Sequence, residues 1–143
     1  MNFVLDASVA LGWLLEDASS ANQPYSQLVF DQLEQPASRA FVSGVWPFEI
    51  ANGIAKGERR GRADENRSQR FLRALAAAPI EVDNESATRA QTEMLHLARR
   101  FGRSAYDASY LELALRRSLP IATLDTDLLA AAGAAGVARF MAS

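Results

Sequence analysis

"NFVLDASVALGWLLE", residues 2–16, changes period in its middle. Residues 2–6 are a short apolar run rich in strand formers. Residues 7–16 carry apolar side chains at helical spacing, so a strand runs straight into a helix with Asp6 at the joint. The same unit returns near the other end, where "PIATL" (120–124) is a strand, Asp125 follows it, and "TDLLAAAG" (126–133) is a helix. Between them the alternation continues. A helix spans 20–35 with Pro24 near its start, a strand 40–44, and a helix 45–61 with Pro47 in the first turn and Gly61 at the end. A helix follows over 63–78, a strand over 80–83, a helix over 85–102 stopped by Gly102, a helix from 105 to about Ser118, and a last strand over 137–141. This order predicts one α/β domain over residues 1–143, with helices on both faces of a parallel sheet.

Composition narrows the chemistry. A chain of 143 residues buries about two-thirds of its unfolded surface, so it needs neither a disulfide nor a structural metal to fold. It has no cysteine, which excludes thiol catalysis and zinc-thiolate sites, and one histidine, His96, on a helical pattern. The start of the chain carries no basic leader, and no apolar run spans a bilayer, so a cytoplasmic, non-membrane protein is expected. A net charge of −2 argues against nucleic-acid binding driven by global charge but permits a local basic rim around an acidic pocket.

In an open parallel sheet the ligand crevice lies outside the carboxyl ends of the strands, where Asp6 and Asp125 both stand; each also suits a helix N-cap. Glu49 lies in the apolar "VWPFEIANGI" (45–54), and Asn52, three residues on, shares its face and is placed to orient or hydrogen-bond it. Asp107 sits in the first turn of "SAYDASYLELA" (104–114), where Ser104 three residues earlier makes a capping box the stronger reading of the stretch taken alone. Four carboxylates meeting without Lys or His partners raise one another's pKa unless a divalent cation neutralises them. Oxygen ligands of this kind suit Mg²⁺ or Mn²⁺.

"FVLDASV", "WPFEIANGIAKGERRGR" and "SAYDASYLELALRRSLPIATLDTDL", in that order and spacing, resemble the PIN-domain ribonucleases, specifically the VapC-type toxins of prokaryotic toxin–antitoxin modules. The resemblance implies a three-layer α/β/α fold around a parallel sheet of four to five strands. It implies a Mg²⁺-dependent endoribonuclease that hydrolyses phosphodiester bonds with a metal-activated water. Asp6, Glu49, Asp107 and Asp125 become the catalytic and metal-holding quartet, with Ser8, Ser104 and Thr123 as supporting hydroxyls. Asp127, two residues beyond Asp125, supports the metal through water or favours the start of its helix; Asp125 is preferred because it stands at the strand end. The implied partners are an RNA substrate, a small antitoxin and a second copy of the chain.

Arg59, Arg60 and Arg62, then Arg99, Arg100 and Arg103, and Arg116 with Arg117 are candidates for the RNA-contacting rim, or else solvated helix ends. Trp13, Leu14, Trp46 and Phe48 are expected to be exposed and to meet the antitoxin. Two other readings compete: a PIN-like binding module, which loss of an acid would mark, and a DNA-directed nuclease.

Overall fold

β1 (Asn2–Leu5) is the axis of the molecule: Phe3, Val4 and Leu5 are completely buried, as expected for a central parallel strand covered on both faces. The structure, a computed structural model, describes residues 1–17 and 19–141. β2 (Arg39–Val42) pairs with β1 on one side, and β3 (Ile80–Val82) pairs with β2. β4 (Ile121–Ala122) pairs with β1 on the other side. All pairings are parallel and the order is β3-β2-β1-β4. The chain therefore runs outward from β1 through β2 to β3 and then crosses to β4 on the other side of β1, a switch point that opens a crevice at the carboxyl ends of β1 and β4.

Strand alternation divides the core in two. Phe3, Leu5, Ala40 and Val42 face α1 (Ala7–Leu15), α2 (Gln23–Leu33), α3 (Trp46–Arg59) and α4 (Glu65–Ala77). Val4, Phe41 and Ile121 face α5 (residues 86–101), α6 (Ala105–Arg117) and α7 (Thr126–Ala134). Helix α5 comprises Ser86–Arg89, a π-helical segment Ala90–Met94 and Leu95–Phe101, and ends at Gly102 with φ 62°. The result is the expected three-layer α/β/α architecture. On α3, a Cβ at Gly57 would stand 2.6 Å from Leu15 Cδ2, and one at Gly53 would collide with Leu11. These two glycines let α3 lie close against α1, bringing the start of α3 toward the end of β1.

Two expected strands are shorter than their sequence pattern. β4 stops at Ala122 because the next amides turn to side chains: Leu124 N–H donates to Ser8 Oγ (3.0 Å) and Asp125 N–H to Thr123 Oγ1 (3.0 Å). The expected strand over 137–141 is a single parallel bridge between Ile121 and Arg139. The Phe140 carbonyl accepts from Tyr25 Oη at 2.8 Å, and Met141 adopts φ 56°, which turns the chain off the sheet. Among the described residues no helix is long and apolar enough to cross a membrane.

Candidate metal centre

Asp6 directly follows β1 in the N-cap position of α1, yet its side chain makes no capping hydrogen bond. Its Oδ2 instead accepts from Ser8 Oγ at 2.6 Å and from Thr123 Oγ1 at 2.8 Å, tying the ends of β1 and β4 together. Burial pushes the Asp6 carboxyl above the usual range; the two hydroxyls oppose that shift, and the charges of Asp107 and Asp125 add to it.

Glu49 occupies the first turn of α3, half-buried, and its Oε1 accepts from the Tyr110 hydroxyl. Its carboxyl is also raised, first by burial, against the Tyr110 hydrogen bond, and then by the charges of Asp6 and Asp107. Tyr110 lies on α6, is 1% exposed, and has its own hydroxyl pushed far upward by burial and by the charges of Asp6 and Glu49, so it acts here as a permanent donor. The orienting role expected of Asn52 falls to Tyr110: Asn52 is exposed and makes no hydrogen bond with Glu49, whose described side-chain partner is Tyr110.

At the start of α6 the capping box is half made. Ser104 Oγ accepts from the Asp107 N–H at 3.1 Å, so the serine is the cap. The Asp107 side chain does not reach back. Its Oδ2 accepts from Arg103 Nε (3.2 Å) and Nη2 (3.1 Å), and Arg103 Nη1 also stands 3.9 Å from Asp127. Asp125 caps α7, its Oδ1 accepting from the N–H groups of Asp127 (2.9 Å) and Leu128 (3.1 Å). Asp127 is 75% exposed and lies at the outer margin.

The fold thus brings Asp6 within electrostatic reach of Glu49, Asp107 and Asp125. Among the described residues no group of three or more His, Cys, Asp or Glu side chains stands close enough together to hold a metal ion. The donor chemistry nevertheless fits a hard cation. One oxygen of each of the four carboxylates is held by a protein donor, and the other, Asp6 Oδ1, Glu49 Oε2, Asp107 Oδ1 or Asp125 Oδ2, has no hydrogen-bond partner among the described residues.

Sequence reasoning missed Tyr110 and the pairing of Arg103 with Asp107. Tyr110 lies three residues after Asp107, next along the same helix face, a spacing that could have suggested it. It misplaced Arg116, which is only 16% exposed and grips Asp83 (2.8 Å) and Glu112 (2.8 Å) in a buried ion network. Arg117 lies over the Phe41 ring and Arg62 donates to the Leu15 carbonyl, whereas Arg59, Arg60 and Arg99 are exposed. Leu14 and Trp46 are core residues rather than exposed ones, because α1 and α3 turn them into the apolar layer; Phe48 is 75% exposed.

A family model described as the PIN domain matches residues 3–134. The comparison with curated proteins finds no match. Among solved structures, PAE2754 from Pyrobaculum aerophilum is 23% identical with a TM-score of 0.65, covering 92% of this chain and 84% of that one. VapC20 of Mycobacterium tuberculosis, described as a Sarcin-Ricin loop cleaving toxin, is 18% identical with a TM-score of 0.63, covering 94% and 95%. FitAcB from Neisseria gonorrhoeae is 21% identical with a TM-score of 0.61, covering 98% and 96%. At these identities the likeness concerns the fold.

Proposed function

The chain belongs to the PIN domain family, and from that premise we propose that it is a single-domain, cytoplasmic, Mg²⁺-dependent endoribonuclease acting as the toxin of a toxin–antitoxin pair. The observation that carries this reading is the quartet Asp6, Glu49, Asp107 and Asp125, each held through one oxygen with the other free. These are the residues that would hold Mg²⁺, with Mn²⁺ as a substitute. When bound, the cation supplies positive charge against the phosphate and acidifies water.

The chain's own residues do the rest. Ser8 and Thr123 fix the Asp6 carboxylate, and Tyr110 fixes that of Glu49, so neither has to reorganise when substrate arrives. Burial and mutual repulsion raise the Asp6 and Glu49 carboxyls, the condition that a divalent cation held between them relieves. Arg103 balances the charge of Asp107 and lies where a phosphate competes for its donors.

The antitoxin reading is supported by an apolar groove of about 830 Å³ between α1, α2 and α4, lined by Trp13, Phe30, Phe71 and Leu75 with Arg67 and Arg70 at its edge. It suits an amphipathic helix carrying acidic flanks. Homodimerisation is part of the same proposal. The test is cleavage of a mixed RNA pool by the purified protein in Mg²⁺, in chelator, and as Asp6→Ala. Cleavage confined to the intact site with Mg²⁺ supports the reading; full activity of Asp6→Ala ends it.

A further inference from the structure

Among the described residues Arg103 is the only basic side chain paired with any of the four candidate site acids. Its grip differs from that of Arg116. Arg116 gives separate nitrogens to the two oxygens of Asp83, at 3.0 and 2.8 Å, the fork-on-fork arrangement of a strong ion pair. Arg103 places Nε and Nη2 on the same oxygen, Asp107 Oδ2, at 3.2 and 3.1 Å. Two donors sharing one oxygen at these lengths make a looser contact. The Nη1 donors of Arg103 make no hydrogen bond among the described residues.

A second acid lies beside those donors. Asp127 Oδ2 is 3.9 Å from Arg103 Nη1, and the Asp127 side chain accepts no hydrogen bond among the described residues. A movement of about 1 Å at the tip of the guanidinium brings this pair to hydrogen-bond distance. Neither backbone has to move. The Arg103 N–H donates to the Ala98 carbonyl at 3.1 Å, between Gly102 and the Ser104 cap, and the Asp127 N–H donates to Asp125 Oδ1 at 2.9 Å. Exchange between the two acids therefore needs only side-chain torsions. The Arg103 side chain is 26% exposed, so the step leaves no bare charge in the interior.

Among the described residues no three of the site acids stand close enough together to hold an ion, so Asp107 has to turn to join the others, and Arg103 is the side chain that restrains it. Positive charge arriving at Asp107 repels the guanidinium resting there. We propose that Arg103 is a positioning residue with two seats: it holds Asp107 Oδ2 until a divalent cation takes that carboxylate, and then pairs with Asp127. Asp127 thereby serves the guanidinium and not the metal. The inference rests on the metal-dependent reading of the site and assigns a role there to two residues outside the quartet.

The test is calorimetric titration of Mn²⁺ into the full chain, Asp127→Asn, Arg103→Gln and the double variant, at about 0.15 M salt so that distant surface charges are screened. Asp127→Asn should weaken Mn²⁺ binding about two- to five-fold where Arg103 is present, the range of an exposed ion pair, and should change nothing in the Arg103→Gln background. Equal effects of Asp127→Asn in both backgrounds overturn the exchange and return Asp127 to a direct influence on the metal. No effect in either background overturns it as well. The guanidinium itself is followed by the ¹⁵N–¹H signal of Arg103 Nε–H, assigned by its disappearance in Arg103→Gln. That signal should shift when Mg²⁺ is added to the full chain; a signal that stays in place while calorimetry records binding overturns the proposal. Failure of the full chain to bind either cation ends the metal centre and the exchange together. RNA cleavage in Mg²⁺ by the same preparations reads the nuclease proposal separately: coupled Mn²⁺ binding without cleavage ends that reading and keeps the exchange, and cleavage with uncoupled binding does the reverse.

Discussion

Tyr110→Phe removes one oxygen from a side chain that is 1% exposed and leaves the ring's packing intact. What is lost is the hydrogen bond from Tyr110 Oη to Glu49. Such a bond to a charged acceptor contributes about 1.5–3 kcal/mol where both ends are dry. Glu49 is half-buried and partly recovers water, so the expected loss is about 1 kcal/mol, a fall in Tm of about 2–4 °C for a chain of this size. The pH dependence is more telling. Burial holds the Glu49 carboxyl above its usual range, and the Tyr110 hydrogen bond is the influence that opposes it. Without the hydroxyl the pKa rises further. If cleavage needs ionised Glu49, the acid limb of the pH–rate profile must move to higher pH, with activity recovering toward the alkaline side. The stability effect has the same origin: a raised folded pKa favours folding below the unfolded pKa, and that advantage fades as pH rises through the folded value. Tyr110→Phe therefore destabilises most near neutrality, where Glu49 is charged, and least in acid. Oligonucleotide cleavage across the acid and neutral range, with melting curves in the same buffers, tests this. An unmoved acid limb alongside a lowered Tm would show that Tyr110 only packs and that Glu49 ionisation does not control turnover.

Asp6→Asn and Asp107→Asn should each lower cleavage by orders of magnitude. Asp6→Asn should melt at the same temperature or higher, because burial and neighbouring charge make the ionised form costly while an amide oxygen still accepts from Ser8 and Thr123; calorimetric melting checks it. Arg103→Gln removes a cation from beside Asp107 and should tighten Mg²⁺ binding measured by titration calorimetry. Arg116→Met strands Asp83 and leaves Glu112 with Arg89 alone, at 3.5 Å; the two acids are 5% and 4% exposed, and the change should cost about 3–5 kcal/mol in urea unfolding. Burial alone would raise the Asp83 carboxyl, but Arg116 and Ser86 outweigh it and hold it below the usual range. Its contribution is therefore present above the unfolded pKa and lost as pH falls through the folded one, so the Arg116→Met deficit should shrink in acid.

The fold was legible because its signals are local. Asp6 and Asp125 each end an apolar run and begin a helix, and that repeated unit alone places both at one sheet edge. The strand over 137–141 failed because alternation of apolar residues does not reveal that Tyr25, far away in sequence, claims the Phe140 carbonyl. Position in the chain pointed to four acids as candidates, but their individual states depend on contacts between distant segments. Whether Asp6 caps α1 is decided by Thr123, 117 residues away, and the partner of Glu49 comes from a helix 61 residues later. Arg116 shows the converse. On sequence it is one of several arginines near a helix end, and only the fold reveals that Asp83 and Glu112 wait beneath it.

The way oxygens are used separates the buried acids of the Arg116 network from those proposed for chemistry. Asp83 gives both oxygens to Arg116, Oδ1 at 3.0 Å and Oδ2 at 2.8 Å, and Glu112 does the same at 2.8 and 3.1 Å. These carboxylates have no oxygen left to offer, and a cation would have to displace a guanidinium that compensates them in the interior. Asp6, Glu49, Asp107 and Asp125 are restrained through one oxygen only, by hydroxyls, by Arg103 or by backbone N–H groups. Single-oxygen restraint keeps repelling carboxylates in place before any ligand arrives and leaves one hard donor on each for the ion. The same criterion favours Asp125 over Asp127. Asp125 is anchored as the cap of α7 with Oδ2 free, whereas the exposed Asp127 side chain accepts no hydrogen bond among the described residues and is near only one cation, Arg103 at 3.9 Å. A free carboxylate on the surface must lose rotamer entropy to bind, and an anchored one has already lost it to the fold.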